Sequence, residues 1–71
     1  MLKIGDKVIW RGSWGMDSPR EATIAGIQLC AVGEKYGKDI SSCQWETVRN
    51  GKIVVNLTNG HWAYGMQLEP I

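Results

Sequence analysis

This 71-residue sequence lacks a long apolar run, a close cysteine pair and an excess of either charge. No window approaches the roughly 18 apolar residues that a membrane span needs. The beginning, MLKIGDKVIW, has no apolar stretch long enough for a secretory signal. We therefore expect a cytoplasmic protein without membrane contact. In that compartment Cys30 and Cys43 are reduced thiols, whereas an oxidising compartment would permit a disulfide between them.

The charges are balanced, because Lys and Arg together number 8, Asp and Glu number 7, and the formal net charge is +1. Domains dedicated to nucleic-acid binding usually show a basic excess or a basic stripe, and here the basic residues are scattered among acids. The balance argues against a strongly electrostatic partner. The length leaves room for one domain, 1–71.

Groups with catalytic or metal-binding chemistry are sparse. Cys30, Cys43 and His61 are potential zinc ligands, but they lack the close CxxC spacing typical of zinc sites. No GxSxG-type turn presents a nucleophile, and the acidic residues form no recognisable catalytic pair. We expect no metal, no cofactor and no enzymatic activity.

The sequence does contain short β-rich stretches separated by glycine. Strands are predicted at 6–11 and 20–30, with a bulge or bend at Gly26, where the apolar alternation changes phase. Residues 31–42 are predicted to form a long polar loop. Helices are not expected, because glycine interrupts every candidate. Three further strands, CQWETV, KIVVNL and HWAY, are predicted to be joined by two Asn-Gly turns.

Asn-Gly suits a tight hairpin, because both residues tolerate a positive φ. A two-residue turn at 59–60 pairs Leu57 with Trp62 and Val55 with Tyr64. This register places the apolar residues of both strands on one face. We take that face as the core face.

The register at the other Asn-Gly pair, 50–51, has two solutions. A two-residue turn puts Glu46 on the apolar face, whereas a three-residue turn closed by a glycine bulge puts Trp45 there. Burying an unpaired carboxylate is costly, so the bulged turn is favoured. The resulting three-stranded meander has a predicted core cluster of Trp45, Val55, Leu57, Trp62 and Tyr64.

The strands at 6–11 and 20–30 are expected to supply the opposite wall. Five or six short antiparallel strands of this size close most simply into a small all-β barrel. The segment at 31–49 is then an extended insert that adds a loop and a strand.

Two stretches resemble known small barrels, and together they cover about two thirds of the chain. KIGDKVIWRGSWGMDSPREATIAGI resembles the start of a KOW motif, with Ala22 where that motif usually has glycine. KIVVNLTNGHWAYGMQLEPI is similar to the end of SH3-like and Tudor-like barrels, which implies a 3₁₀ turn and a last short strand within GMQLEPI. The residues that match the KOW pattern are Gly5, Asp6, Val8, Gly12, Gly15, Thr23, Ile24 and Ile27.

The predicted function is that of a non-catalytic binding module with an aromatic-rimmed groove between loops 12–19 and 31–42. Those loops flank the ligand surface in SH3-like barrels, so a protein or peptide is the expected partner. Edge strands offer a second copy a place to pair. The residues expected to bind the partner are Trp14, Tyr36, Tyr64 and Met66, with Arg11 and Arg20 at the rim. The tryptophans expected in or near the core are Trp10, Trp45 and Trp62.

The KOW resemblance implies an alternative function, the binding of nucleic acid. In that case basic side chains contact phosphates and Trp14 stacks on a base. The basic residues assigned to this role are Lys7, Arg11, Arg20 and Lys52.

Overall fold

The computed structural model describes residues 1–12, 16–30, 37–50 and 52–71. Strands make up most of the regular structure, so the predicted all-β class is confirmed. The described elements are β1 (Leu2–Lys3), β2 (Lys7–Trp10), β3 (Arg20–Leu29), β4 (Lys38–Ile40), β5 (Ser42–Cys43), α1 (Trp45–Arg49), β6 (Ile53–Leu57), β7 (Trp62–Tyr64), a 3₁₀ helix (Gly65–Gln67) and β8 (Leu68–Pro70).

The described strands pair antiparallel throughout. Six of them form one sheet in the order β7-β6-β3-β2-β8, with β4 also pairing with β3, and β1 pairs separately with β5. The six-stranded sheet agrees with the expected five to six short antiparallel strands. Strands β7 and β8 lie at its two edges.

Strand β3 is the longest strand and belongs to both halves of the sheet. Its residues 20–23 pair with β2, and its residues 24–29 pair with β6. The register shifts between Ile24 and Gly26, which is where the phase change in the sequence predicts a bulge. A bulge bends its strand and increases the local twist. The two halves of the sheet therefore curl around one core.

A contact between Trp10 and His61 shows how far the sheet curls. Trp10 ends β2 and His61 precedes β7, and two other strands separate β2 from β7 in the sheet order. Their ring centroids are nevertheless 5.2 Å apart, with the planes tilted by 36°. The hairpin between β6 and β7 thus covers the indole of Trp10, which is 8% exposed.

Apolar side chains from both halves of the sheet meet in a single core. One row of this core crosses three strands through Ile27, Val55 and Ala63. Each fully buried valine, leucine or isoleucine contributes about 1.5–3 kcal/mol. The core consists of Leu2, Val8, Trp10, Ala22, Ile24, Ile27, Val48, Ile53, Val55, Leu57, Ala63 and Leu68.

The Gly-Asp pair that contributes to the KOW resemblance forms a tight turn between β1 and β2. Gly5 has a φ of 92°, in the left-handed region that favours glycine. The Asp6 N–H donates to the Lys3 carbonyl (3.1 Å), and the Lys3 N–H donates to Asp6 Oδ2 (3.0 Å). The Ile24 N–H donates to the Asp6 carbonyl, which attaches the turn to β3.

The prediction of a strand over CQWETV, and of no helix in the chain, is wrong. Strand β5 ends at Cys43, and residues 45–49 form the α-helix α1. Trp45 and Val48 lie one turn apart, so both pack on the core from the same side of α1. The helix ends at Arg49 with Asn50 as its C-cap, so the segment before the Asn-Gly pair at 50–51 is a helix and not the first strand of a hairpin.

The predicted register of the second hairpin, between β6 and β7, is also wrong. The turn has three residues: the Gly60 N–H donates to the Leu57 carbonyl (3.2 Å), and the Leu57 N–H donates to the His61 carbonyl (2.8 Å). Gly60 has a φ of 87°, as expected when such a turn ends in a glycine bulge. The register is therefore one residue away from the predicted one.

A shift of one residue moves every side chain of a strand to the other face of the sheet. In β7, Ala63 is therefore buried opposite Val55, and Trp62 and Tyr64 lie on the outer face. Trp62 is 57% exposed, which contradicts its predicted place in the core. Of the predicted core cluster, Val55 and Leu57 are buried, whereas Trp45 and Tyr64 are half-buried.

The predicted insert at 31–49 is described from residue 37 onwards. It contributes β4, β5 and α1. The tail forms a 3₁₀ helix followed by β8, as its similarity to the end of SH3-like barrels implies. Across the described ranges, no helix is long and apolar enough to cross a membrane.

Candidate functional site

Of the six residues predicted to bind a partner, four lie within the described part of the chain. Trp14 and Tyr36 lie outside the described residues. Tyr64 is half-buried on β7, and the exposed Met66 lies in the 3₁₀ helix. Of the two arginines expected at the rim, Arg11 is half-buried directly after β2, and Arg20 is exposed at the first position of β3.

An aromatic pair lies on the outer face of the edge strand β7. The rings of Trp62 and Tyr64 have centroids 5.1 Å apart and planes at 83°, an edge-to-face contact. Such contacts are worth about 0.5–1.5 kcal/mol beyond the area they bury. This contact therefore favours one orientation of the exposed indole. Sequence reasoning missed Trp62 as a surface residue because the predicted register put it in the core.

The side chains around this pair are small and neutral. Asn56 lies opposite Trp62, and Val54 lies opposite Tyr64. Gly26 lies opposite Asn56 on the next strand, and a Cβ atom at Gly26 would come no closer than 3.5 Å to any atom. The outer face of β6 and β7 thus presents an exposed indole near Gly26, a position without a side chain. We call Gly26, Val54, Asn56, Trp62 and Tyr64 the aromatic face.

A groove of about 530 Å³ lies between α1 and the end of the chain. Its shape depends on Gly65, because a Cβ atom there would overlap the carbonyl oxygen of Val48. The missing side chain lets the 3₁₀ helix approach the last turn of α1. We call this depression the α1–β8 groove, and its lining residues are Arg49, Gly65, Met66, Leu68, Glu69 and Pro70.

The α1–β8 groove combines apolar lining with one cation and one anion. Met66 is 60% exposed, whereas Leu68 is 4% exposed. Glu69 Oε1 lies 3.8 Å from Arg11 Nε, outside the groove lining. Among the described residues, no carboxylate lies within 4.0 Å of the Arg49 guanidinium. Sequence reasoning missed Arg49 because its segment was predicted to continue a strand and a turn.

Gln67 connects the groove to the aromatic face. Its side chain is buried, and its Nε2 donates to the Arg11 carbonyl (3.0 Å). Its Oε1 accepts a hydrogen bond from the Tyr64 N–H (2.9 Å). This amide therefore fixes the 3₁₀ helix relative to both β2 and β7. No feature of the sequence separates Gln67 from the other glutamines.

Two of the four basic residues assigned to phosphate contacts lie beside acidic side chains. Lys7 Nζ lies 3.5 Å from Glu21 Oε1, and Arg11 Nε lies 3.8 Å from Glu69 Oε1. Exposed ion pairs of this kind are weak, but each places an acid beside the cation that a phosphate would need. Arg20 lies opposite Trp10 at the start of β3, and Lys52 lies directly before β6.

The three candidate metal ligands, Cys30, Cys43 and His61, all lie within the described residues. The described part of the chain holds no group of three or more His, Cys, Asp or Glu side chains that could bind a metal ion. Cys30 and Cys43 are free thiols. Burial raises the pKa of the Cys43 thiol above its ordinary value of 9.0, and the charged N-terminus opposes this shift.

Comparison of the chain with protein-family models, with curated proteins and with solved structures gives no match. The aromatic face and the α1–β8 groove are therefore described from the positions and contacts of their residues alone. Both include residues of the segment from β7 to β8.

Proposed function

We propose that this protein is a non-catalytic binding module for a protein or peptide, and that the partner docks on the aromatic face. The observation that carries the proposal is the 57% exposure of Trp62, whose ring is held edge-on by Tyr64. Tryptophan and tyrosine dominate the binding energy of protein interfaces. An indole with a fixed orientation loses little side-chain freedom when a partner covers it.

The charge around the aromatic face favours a protein over a nucleic acid. Gly26, Val54 and Asn56 are uncharged, and the cross-strand row that contains Val54 and Tyr64 ends at Asp39, which accepts a hydrogen bond from Gln28 (3.2 Å). Stacking on nucleic-acid bases is normally combined with a positively charged groove for the backbone. A neutral, partly apolar face matches the centre of a protein interface better.

Binding of single-stranded nucleic acid is the second candidate function. It is favoured by Lys52, which is exposed directly before β6 and so lies at one end of the aromatic face. Affinity for a fluorescent mixed-sequence oligonucleotide should then fall steeply between low and moderate salt. Absence of binding at low salt would exclude this function.

We also propose that the barrel is SH3-like. The Gly5-Asp6 turn and the 3₁₀ helix followed by a short strand support this assignment. Fold alone does not specify function. The choice of partner therefore rests on the aromatic face and not on the architecture.

Affinity measurements on Trp62 variants test the proposed function. Peptides would be selected from a displayed random library on the wild-type protein, and their affinities for Trp62→Ala and Trp62→Phe measured by fluorescence anisotropy. We expect Trp62→Ala to weaken binding by about thirtyfold, a loss near 2 kcal/mol that is typical of a hot-spot residue. The control is Met16→Ala, because Met16 is 85% exposed and lies outside both candidate surfaces. Equal affinities for wild type and Trp62→Ala would overturn the proposal.

A further inference from the structure

The α1–β8 groove contains an arginine whose charge is not paired with an acid within the described part of the chain. Glu69 and Arg11 form an ion pair at one side of the groove, whereas Arg49 has no acidic partner among the described residues. Arg49 is exposed in the last turn of α1 and faces the groove opposite β8. A ligand that brings one carboxylate to this side completes the charge balance of the groove.

The backbone of β8 is poorly suited to bind a partner as an added strand. The Leu68 N–H donates to the Gly65 carbonyl, and Pro70 has no N–H. The Arg11 N–H donates to the Gln67 carbonyl. In an antiparallel ladder every second residue pair is hydrogen-bonded, so Ile9 and Glu69 form the next such pair and the N–H of Glu69 points towards β2. No N–H of β8 is then available to an incoming strand. A ligand in this groove must be recognised through its side chains.

The apolar residues of the groove define the second element of recognition. Met66 is an exposed, adaptable side chain, and it lies beside Leu68 and Pro70. Methionine fits apolar ligands of varied shape because it has three rotatable bonds. A bulky apolar side chain placed here is covered on one side by methionine and lies within reach of the arginine.

We infer that the α1–β8 groove binds a segment of a partner protein in which an aspartate or glutamate stands next to a bulky apolar residue. Arg49 pairs with the carboxylate through two parallel N–H···O bonds, a geometry that lysine does not provide. Met66 and its apolar neighbours cover the adjacent side chain. At the other side Glu69 is already paired with Arg11, so only the Arg49 side attracts a carboxylate and the charge pattern also sets the direction of the segment.

This inference goes beyond the proposed function, because it concerns a second surface that shares no residue with the aromatic face. The test uses a displayed library of random twelve-residue peptides, selected in parallel on wild type, Trp62→Ala and Arg49→Glu. On Trp62→Ala, we expect the selected peptides to contain Asp or Glu beside an apolar residue. On Arg49→Glu, we expect Lys or Arg at the same position, because the charge of the groove is reversed.

Affinities for single variants complete the test. A peptide selected on Trp62→Ala should bind Arg49→Gln about tenfold more weakly than wild type, because the paired hydrogen bonds to its carboxylate are lost. Met66→Ser should weaken it as well. The matched control is Arg20→Gln, because Arg20 is also exposed but lies outside the groove. Circular dichroism of each variant confirms that the fold is retained.

The outcomes separate the two surfaces. Acidic peptides that lose affinity with Arg49→Gln and keep it with Arg20→Gln support the inference. Peptides without an acidic residue, or with equal affinity for wild type and Arg49→Gln, overturn it. If all binding depends on Trp62 and none on Arg49, the inference fails while the proposed function stands. If no peptide is selected on any variant, both fail.

Discussion

Gln67 and Arg11 are 56 residues apart in the sequence and are joined by hydrogen bonds in both directions. The Gln67 side-chain Nε2 donates to the Arg11 carbonyl, and the Arg11 N–H donates to the Gln67 carbonyl, both at 3.0 Å. The Oε1 of the same amide accepts the Tyr64 N–H. One buried amide thus ties the end of β2 to the segment that carries both candidate surfaces.

Removal of this amide should destabilise the fold strongly. Gln67→Leu leaves the Arg11 carbonyl and the Tyr64 N–H without their side-chain partner in a buried place, and each lost partner costs about 1–3 kcal/mol. We expect the free energy of unfolding to fall by about 2 kcal/mol or more, measured by urea titration of the circular dichroism signal. Gln44→Leu is the control, because Gln44 is exposed and makes no side-chain capping bond. A similar, small loss for both variants would contradict this role of Gln67.

Gly65→Ala should separate the 3₁₀ helix from α1. The new Cβ atom would overlap the Val48 carbonyl oxygen, which belongs to the backbone and has little room to move. Overpacking of this kind typically costs about 1–3 kcal/mol. Gly26→Ala is the matched control, because the nearest atom to its Cβ would lie at an ordinary contact distance of 3.5 Å. Thermal melts of the two variants check the difference, and equal melting temperatures would show that no close approach exists at Gly65.

The hairpin between β6 and β7 allows a direct test of strand register. Ala63 is 0% exposed, so Ala63→Leu should overpack the core and cost about 1–3 kcal/mol. Trp62→Ala should cost only about 1 kcal/mol, because it removes an edge-to-face contact on the surface. Urea titrations of the two variants measure both costs. The alternative register, with Trp62 in the core, requires the opposite order of stabilities.

Local patterns in the sequence predicted much of the fold. The phase change at Gly26 located the bulge in β3, and the alternation of apolar residues in KIVVNL gave the buried face of β6. The tail also forms the 3₁₀ helix and last strand that its resemblance implied. These features depend on residues close together in the chain, so a sequence pattern is enough to find them.

The two Asn-Gly pairs show where such patterns stop being sufficient. The pair at 59–60 ends a three-residue turn, and the pair at 50–51 follows a helix. The first of these uses depends on the tolerance of glycine for a positive φ, because Gly60 has a φ of 87°. The predicted two-residue turn put Trp62 on the core face, whereas the observed three-residue turn puts Ala63 there. The choice depends on how much space the core leaves beside Val55, and a sequence pattern does not give that space.

The candidate site was harder to predict than the fold. Met66 lines the α1–β8 groove beside Arg49, a residue that the sequence analysis did not single out. Arg49 reaches the groove only because its segment is helical. Signals for that helix were present: Trp45 and Val48 are spaced by one turn, Glu46 lies in the first turn, and Arg49 lies in the last. A helix of five residues is too short for periodicity to reveal it.

The raised pKa of Cys43 leads to a prediction about its reactivity. Burial disfavours the thiolate, so at pH 8 Cys43 should react with iodoacetamide more slowly in the folded protein than in urea. The midpoint of the rate against pH should be higher in the folded protein than in urea, because folding raises the pKa of this thiol. Measurement in a Cys30→Ala background makes Cys43 the single reactive thiol. Equal midpoints in the folded protein and in urea would contradict the effect of burial.

The same shift implies that stability falls at high pH. A group whose pKa is raised by folding binds its proton more tightly in the folded protein than in the unfolded chain. Its contribution to stability is therefore fully present below pH 9.0 and is lost as the pH rises through the folded pKa. In the Cys30→Ala background, the midpoint of urea unfolding should fall between pH 8 and pH 10. With Cys43→Ala added, this fall should be smaller, because no thiol remains to ionise. An equal fall in both proteins would show that other groups account for the loss of stability.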